Sequence, residues 1–239
     1  LQELPPGKHR ETFIMIRGSF LQRGERVFGG IPTSFHEVSA AVDPTRLDVA
    51  RWITSPKNPL TSRVAVNRIW SRLFGTGLVS TEEDFGTQGD PPSHPRLLDW
   101  LATEFTRTDW DVKRLLRLLV TSATYRQSSR ISPDHLAIDP DNRLLARGPR
   151  FRLSAETVRD QSLALAGLLD QTLGGPSVYP YQPPGLWQAA FNGQRKWPNS
   201  PGFQKYRRGL YTFVCRSFPH PAMVAFDAPS REECVAERP

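Results

Sequence analysis

The sequence predicts a mainly α fold, an irregular helical domain with a small two-stranded β element and long ordered loops. Several segments carry apolar residues at helical spacing between capping signals, only two short runs favour strand, and one stretch rich in Pro, Gly and aromatic residues has no period. A chain of 239 residues can bury one substantial core, or a core with a smaller lobe. We divide it into an N-terminal strand and connection (1–42), part of the same domain, and a helical domain over 43–239.

Thr12 to Gly18 (TFIMIRG) is a short β-favouring run, and the following RGERVFGGIP reads as an irregular connection. Asp43 and Pro44 suit the N-cap and first position of a helix whose apolar face is Leu47, Ala50, Trp52 and Ile53, ending before Pro56. From Thr61 to Phe74, Val66, Ile69 and Leu73 form one stripe and Trp70 and Phe74 another, so most of that helix should be buried before Gly75 stops it. Ser93 or His94 caps a helix bearing Leu97, Leu98, Leu101 and Phe105. Asp111 caps another, DVKRLLRLLVTSATY, and the short connection predicts an antiparallel hairpin. A polar bridge leads to a short helix around Leu144, closed by Gly148 and Pro149. Ser154 caps the last long helix, SAETVRDQSLALAGLLD, with Val158, Leu165, Leu168 and Leu169 toward the core and Gly174, Gly175 and Pro176 as its stop. Beyond it, to about Pro201, an ordered loop should be pinned by Trp and Tyr packing. Arg208 to Arg216 (RGLYTFVCR) reads as a second strand able to pair with TFIMIRG.

Composition narrows the function classes. With 38% hydrophobic and 23% charged residues and six Trp, the chain is globular rather than disordered. No stretch approaches the roughly 20 apolar residues that span a bilayer, and the first residues, LQELPPGKHRE, lack a signal-peptide core. The net charge is +7, and of 31 basic residues only Lys8, Lys57, Lys113, Lys196 and Lys205 are Lys. Such Arg richness suits carboxylate, phosphate or sulfate recognition, and equally structural ion pairs. Cys215 and Cys234 are the only cysteines; without CxxC or CxxCH, zinc-ribbon, thioredoxin and c-type haem readings fail, and a disulfide between the two stays open. No HExxH, GxSxG elbow or phosphate-binding Gly-rich loop occurs, and the histidines are scattered, with His94 placed for capping.

Seven strings in order carry a family resemblance: NPLTSRVAVNRIWSRLFGTGLV, DFGTQGDPPSHPRLLDWLA, TSATYRQSS, DPDNRLLARGPRFRLSAETVRD, LGGPSVYPYQPPGLW, YRRGLYTF and FDAPSREEC, with RGSFLQRGERV upstream. The chain resembles a planctomycete and verrucomicrobial domain of unknown function that lies C-terminal to a cytochrome c-like domain in large exported proteins. That resemblance implies an extracytoplasmic (periplasmic or secreted) location and an upstream haem c-bearing partner domain, with no cofactor in this chain. It also implies further helices beyond REECVAERP, and it supplies no catalytic residue. Cys215 and His220 stand where the family usually has a basic residue and a Pro.

Three constellations could carry function. Arg63, Asn67, Trp70 and Phe74 share a helical stripe, where a buried amide should bond loop backbone. Asp139, Asp141, Asn142 and Arg143 precede Glu156, Arg159 and Asp160. The i, i+4 carboxylates Glu156 and Asp160 suit acid–base work or a hard cation, although a structural network with Arg126 or Arg143 fits better, and no metal is expected. Third, Gln171 to Phe226 contains no Asp or Glu but holds Arg195, Lys196, Lys205, Arg207, Arg208 and Arg216 among Tyr179, Tyr181, Trp187, Phe191, Trp197, Phe203 and Tyr206. Cations beside aromatic platforms suit polyanions, single-stranded nucleic acid by stacking or acidic glycans by ring contact and ion pairing. The exported setting that the resemblance implies favours an anionic polysaccharide, with Trp187, Arg195, Lys196, Trp197, Lys205, Tyr206 and Arg207 as the binding set; the alternative is a loop held to the body by its rings. Three function classes remain: a non-catalytic structural or binding module, part of an extracytoplasmic oxidoreductase or polymer-degrading enzyme, and a nucleic-acid-binding protein. The third is disfavoured because no known nucleic-acid-binding module is visible.

Overall fold

The computed structural model describes residues 8, 10–32, 35, 45–190, 193–215 and 217–229. Among them are eight α-helices and one two-stranded antiparallel sheet, so the fold is mainly α. The chain forms two compact units: Leu1–Thr81 with Phe85–Pro149, and Glu82–Asp84 with Arg150–Pro239. The division falls inside the segment expected to be one helical domain.

In unit 1, β1 (Thr12–Met15) pairs with β2 (Arg23–Val27) rather than with RGLYTFVCR. The run expected as irregular is thus the second strand, and a turn at Ser19–Gln22 closes the hairpin locally at little entropic cost. The expected N-cap pair Asp43 and Pro44 lies outside the described residues. α1 (Arg46–Ile53) is capped by Thr45, which accepts from the Asp48 backbone N–H while the Asp48 carboxylate accepts from Thr45.

α2 (Thr61–Phe74) is the centre of this unit and stops at Gly75 as expected. Only Arg68 and Arg72 on it are exposed. Its Val66 and Trp70 pack with Leu78, Val79, Leu98, Leu101, Phe105, Leu115 and Leu119 to form the core, and Trp70 stacks on Phe74 with centroids 3.9 Å apart. Each such buried side chain contributes about 1.5–3 kcal/mol.

α3 (Pro95–Arg107) and α4 (Val112–Val120) follow, the latter capped by Asp111. The expected α3–α4 hairpin is not the main pairing: α3 packs chiefly on α2. The connection bends sharply through Asp109 and Trp110, both in the left-handed region, with Trp110 edge-on to Phe105. α4 stops at Val120, short of Tyr125, because the Ser122 hydroxyl accepts from Tyr125 N–H and begins a turn. His94 holds the N-cap position of α3 without capping it; its ring bonds Ser93 Oγ. The short helix is α5 (Pro133–Ile138), not a turn of helix at Leu144, which lies exposed.

In unit 2, α6 (Ala155–Leu165) is capped by Ser154 but ends about five residues early, at Ala166 and Gly167. Leu165 is 84% exposed and Leu168 39%, so neither faces a core. The rest of the unit is loop around α7 (Leu186–Ala190) and α8 (Pro221–Ala225). RGLYTFVCR forms a 3-10 turn (Gly209–Tyr211) and then one parallel bridge, Thr212 with Val178.

Asn67 is fully buried, and its amide donates to Val79 O at 2.9 Å while its Oδ1 accepts from Val79 N–H at 2.9 Å. It holds the loop after α2 as a neighbouring strand would. Asn67→Ala strands both backbone groups in the core, so urea denaturation should show a loss of roughly 2–4 kcal/mol.

Candidate anion-binding site

The acid-free segment has no sheet to satisfy its backbone, and side chains take over that role. Arg207 is only 5% exposed, and its guanidinium donates to Thr172 O and Pro176 O at 3.1 Å and to Gly174 O, with its Cζ 3.8 Å from the Tyr211 ring centroid. One planar fork thus organises residues 172–176 around a single charge. Arg207 therefore serves the interior and is no surface cation.

The two Trp expected as platforms are also structural. Trp187 is buried, 5.1 Å from Trp197, which itself donates from Nε1 to Pro180 O at 2.6 Å. Tyr179 lies edge-on to Trp197 and stacks on Phe213 at 4.8 Å. These rings pin the loop between α6 and α8, because among the described residues the other buried apolar side chains of unit 2 are few and mostly small: Ala155, Val178, Pro180 and Met223. Among the expected binding residues, Arg195 and Lys196 are exposed, and Lys205 and Tyr206 are half-buried with the Lys205 ammonium 5.0 Å from the Tyr206 ring.

The Asp160 carboxylate of α6 finds its partners within unit 2. Asp160 Oδ1 accepts from Gly209 N–H at 2.5 Å and its Oδ2 from Arg208 Nε at 3.1 Å. Arg208 takes the place expected for Arg126 or Arg143, both exposed residues of unit 1. Gly209 is required there, since a Cβ would come within 2.7 Å of the Glu156 Cα. Arg159 donates from Nη2 to Lys205 O at 2.7 Å and its Nε is enclosed with no bond. Burial pulls the Arg159 guanidinium below its usual range, against the opposing pull of Asp160.

The Asp139 to Arg143 string is a self-contained loop in unit 1. Asp139 accepts from the Arg143 and Leu144 N–H groups, both at 2.8 Å, and Asn142 exchanges hydrogen bonds with the Arg147 backbone; Asp141 and Arg143 are exposed. Among the described residues no three His, Cys, Asp or Glu side chains converge on a metal position. Cys215 is half-buried near Ser217, and Cys234 lies outside the described residues.

Sequence reasoning missed four buried polar residues in unit 2: Glu82, Gln182, Thr212 and His220. Glu82 is 2% exposed and neither carboxylate oxygen has a partner among the described residues, as is also true of Gln182 Oε1 and Thr212 Oγ1. His220 donates from Nε2 to Tyr181 O at 3.1 Å and accepts the Ala222 N–H on Nδ1, which fixes the neutral tautomer. No periodic or spacing signal marks any of them, because each sits in loop or at a helix start. The departure of His220 from its family's usual Pro was the one hint.

Over residues 45–239 the chain matches the PSD1 family, described as a protein of unknown function (DUF1553), and it belongs to that family. No curated protein and no solved structure matches it. No described helix is long and apolar enough to cross a membrane.

Two outcomes test this geometry. Arg207→Lys cannot reach all three carbonyls, so it should lower stability by about 3 kcal/mol in urea denaturation, while Arg208→Lys, at an exposed pair, should cost under about 1 kcal/mol. Burial chiefly, with Arg159 beside it, holds His220 below 6.5, against the Tyr181 hydrogen bond. The unfolded chain then takes up that proton first as pH falls. Stability should decline as pH falls through the ordinary imidazole value of 6.5 and level off once folded His220 protonates, a slope that His220→Gln should flatten in melting curves.

Proposed function

We propose that this family member is a non-catalytic binding module that holds an anionic polysaccharide through ion pairs. The observation that carries this reading is the disposition of the acid-free segment. Its interior cation, Arg207, is committed to backbone carbonyls, while Arg195 and Lys196 stand exposed with half-buried Lys205. A segment of one sign with no acidic side chain of its own attracts a polyanion from solution. The burial of Trp187 and the inward bond of Trp197 favour ionic attachment over ring stacking. The sequence resemblance supports an extracytoplasmic setting, where acidic glycans are available, and an upstream haem-bearing domain as the neighbour; the chain itself, without CxxCH, is read as holding no covalent haem.

Titration with heparin at low and physiological salt should show affinity falling as salt screens the contacts. Arg195→Ala combined with Lys196→Ala should weaken low-salt binding roughly three- to thirtyfold, as loss of two exposed ion pairs implies. Unchanged affinity in a double variant that melts normally would overturn the proposal.

A further inference from the structure

We propose that Arg159 is the fixed point of the proposed surface, a preorganised subsite that takes a single carboxylate or sulfate group of the acidic ligand. The inference rests on the anion-binding reading above and adds to it a specific, oriented contact.

The guanidinium is held on two sides and open on a third. Nη2 donates to Lys205 O at 2.7 Å, Nε is enclosed, and Nη1 makes no hydrogen bond and is not among the enclosed atoms. Asp160, its neighbour in sequence, acts on it through space, but no carboxylate among the described residues forms an ion pair with it. Asp160 spends one oxygen on the Gly209 N–H and the other on Arg208. A charge partly withdrawn from water without a counter-ion is costly, and an incoming anion relieves that cost.

The surroundings keep the sign positive. α6 packs on α8 and on the turn Gly209–Tyr211. Lys205, whose carbonyl Arg159 bonds, and Arg208 bring positive charge, and burial holds His220 toward its neutral form. Of the α6 carboxylates, Asp160 is paired with Arg208 while Glu156 lies one turn earlier. Trp197 lies 5.7 Å from His220, centroid to centroid, and gives a fluorescent reporter next to the subsite. Thr212, closing the turn that packs on α6, adds a buried hydroxyl with no protein partner. Lys196, by contrast, is an exposed side chain that must be ordered when it binds. Arg159 loses little freedom on capturing an anion, so its contribution is selective for a group of fork-matching shape.

The test uses the full chain and a short probe, a sulfated heparin disaccharide, too small to span the exposed cations. Calorimetric titration should show binding that Arg159→Gln weakens by at least about tenfold, as loss of a charge-assisted contact implies. Arg195→Ala with Lys196→Ala should reduce long-chain heparin binding, which reads the exposed surface rather than the subsite. Arg159→Lys, which keeps the charge and one donor to Lys205 O, should fold yet lose most of the affinity because the planar fork is gone. Disaccharide should quench Trp197 fluorescence in the wild type and not in Arg159→Lys. If Arg159→Gln fails to fold, Arg159→Lys decides alone. Wild-type disaccharide affinity in either folded variant, or no disaccharide binding by the wild type, would overturn the subsite. Loss of long-chain binding is a separate matter and bears on the surface reading.

Discussion

Backbone hydrogen-bond satisfaction in loops is the constraint on which the rest depends. Helices and sheets pair their own N–H and C=O groups, and a buried loop must find other partners for them. Much of this chain is loop, and guanidinium groups supply many of the donors. Arg207 serves three carbonyls, Arg147 donates to Asp139 O and Pro140 O, and Arg159 donates to Lys205 O. Amides and carboxylates do the converse: Asn67 bonds both polar groups of Val79, and Asp160 takes the Gly209 N–H. Arg offers five donors in a plane where Lys offers three on a mobile tip, so this fold has a physical use for the Arg-over-Lys bias beyond anion recognition.

Charge and aromatic content therefore divide between interior and surface in a way composition cannot reveal. The seven expected binding residues include Arg207 and Trp187, whose burial makes them parts of the framework, and Trp197, whose indole is tied to Pro180 O. The same residues still shape function. A cation enclosed among carbonyls keeps its charge; Asp170 beside it offsets part of that charge, but the segment from Gln171 to Phe226 holds no acid of its own. The rings, in turn, fix the loops that carry Arg195 and Lys196.

Legibility followed the strength of local signals. α2 was readable to its last residue because its apolar stripes and Gly75 agree with the tertiary core, and Asp111 and Ser154 were readable as caps because one side-chain oxygen decides them. The continuation of α6 past Leu165 was not, since the leucines that suggest it are at helical spacing without a partner surface, and Gly167 offers an earlier exit. Strand pairing failed for a related reason. TFIMIRG and RGLYTFVCR are both β-favouring, yet a four-residue turn brings RGERV alongside first, whereas RGLYTFVCR is drawn into contact with α6 by Asp160. Such long-range side-chain to backbone bonds have no sequence period, and Asn67, Asp160 and Arg207 could be suspected as polar residues but not assigned their partners.

The two units differ in how completely they satisfy themselves, and the proposed subsite lies in the less satisfied one. In unit 1 the buried polar side chains of the core and of the Asp139 loop are bonded to backbone, leaving a closed apolar centre around Val66 and Trp70. Unit 2 encloses polar atoms of Glu82, Arg159, Gln182, Arg207 and Thr212 that have no partner among the described residues. Each such atom costs about 1–3 kcal/mol, a substantial toll for a unit whose apolar core is a handful of rings and small side chains. A purely structural loop has no reason to retain that cost, because apolar residues of the same shape would be neutral or better. Retaining several polar groups in one unit is consistent with a role beyond packing, and Arg159, with one nitrogen open and no counter-ion, is the member of the set placed to act on a ligand from solution.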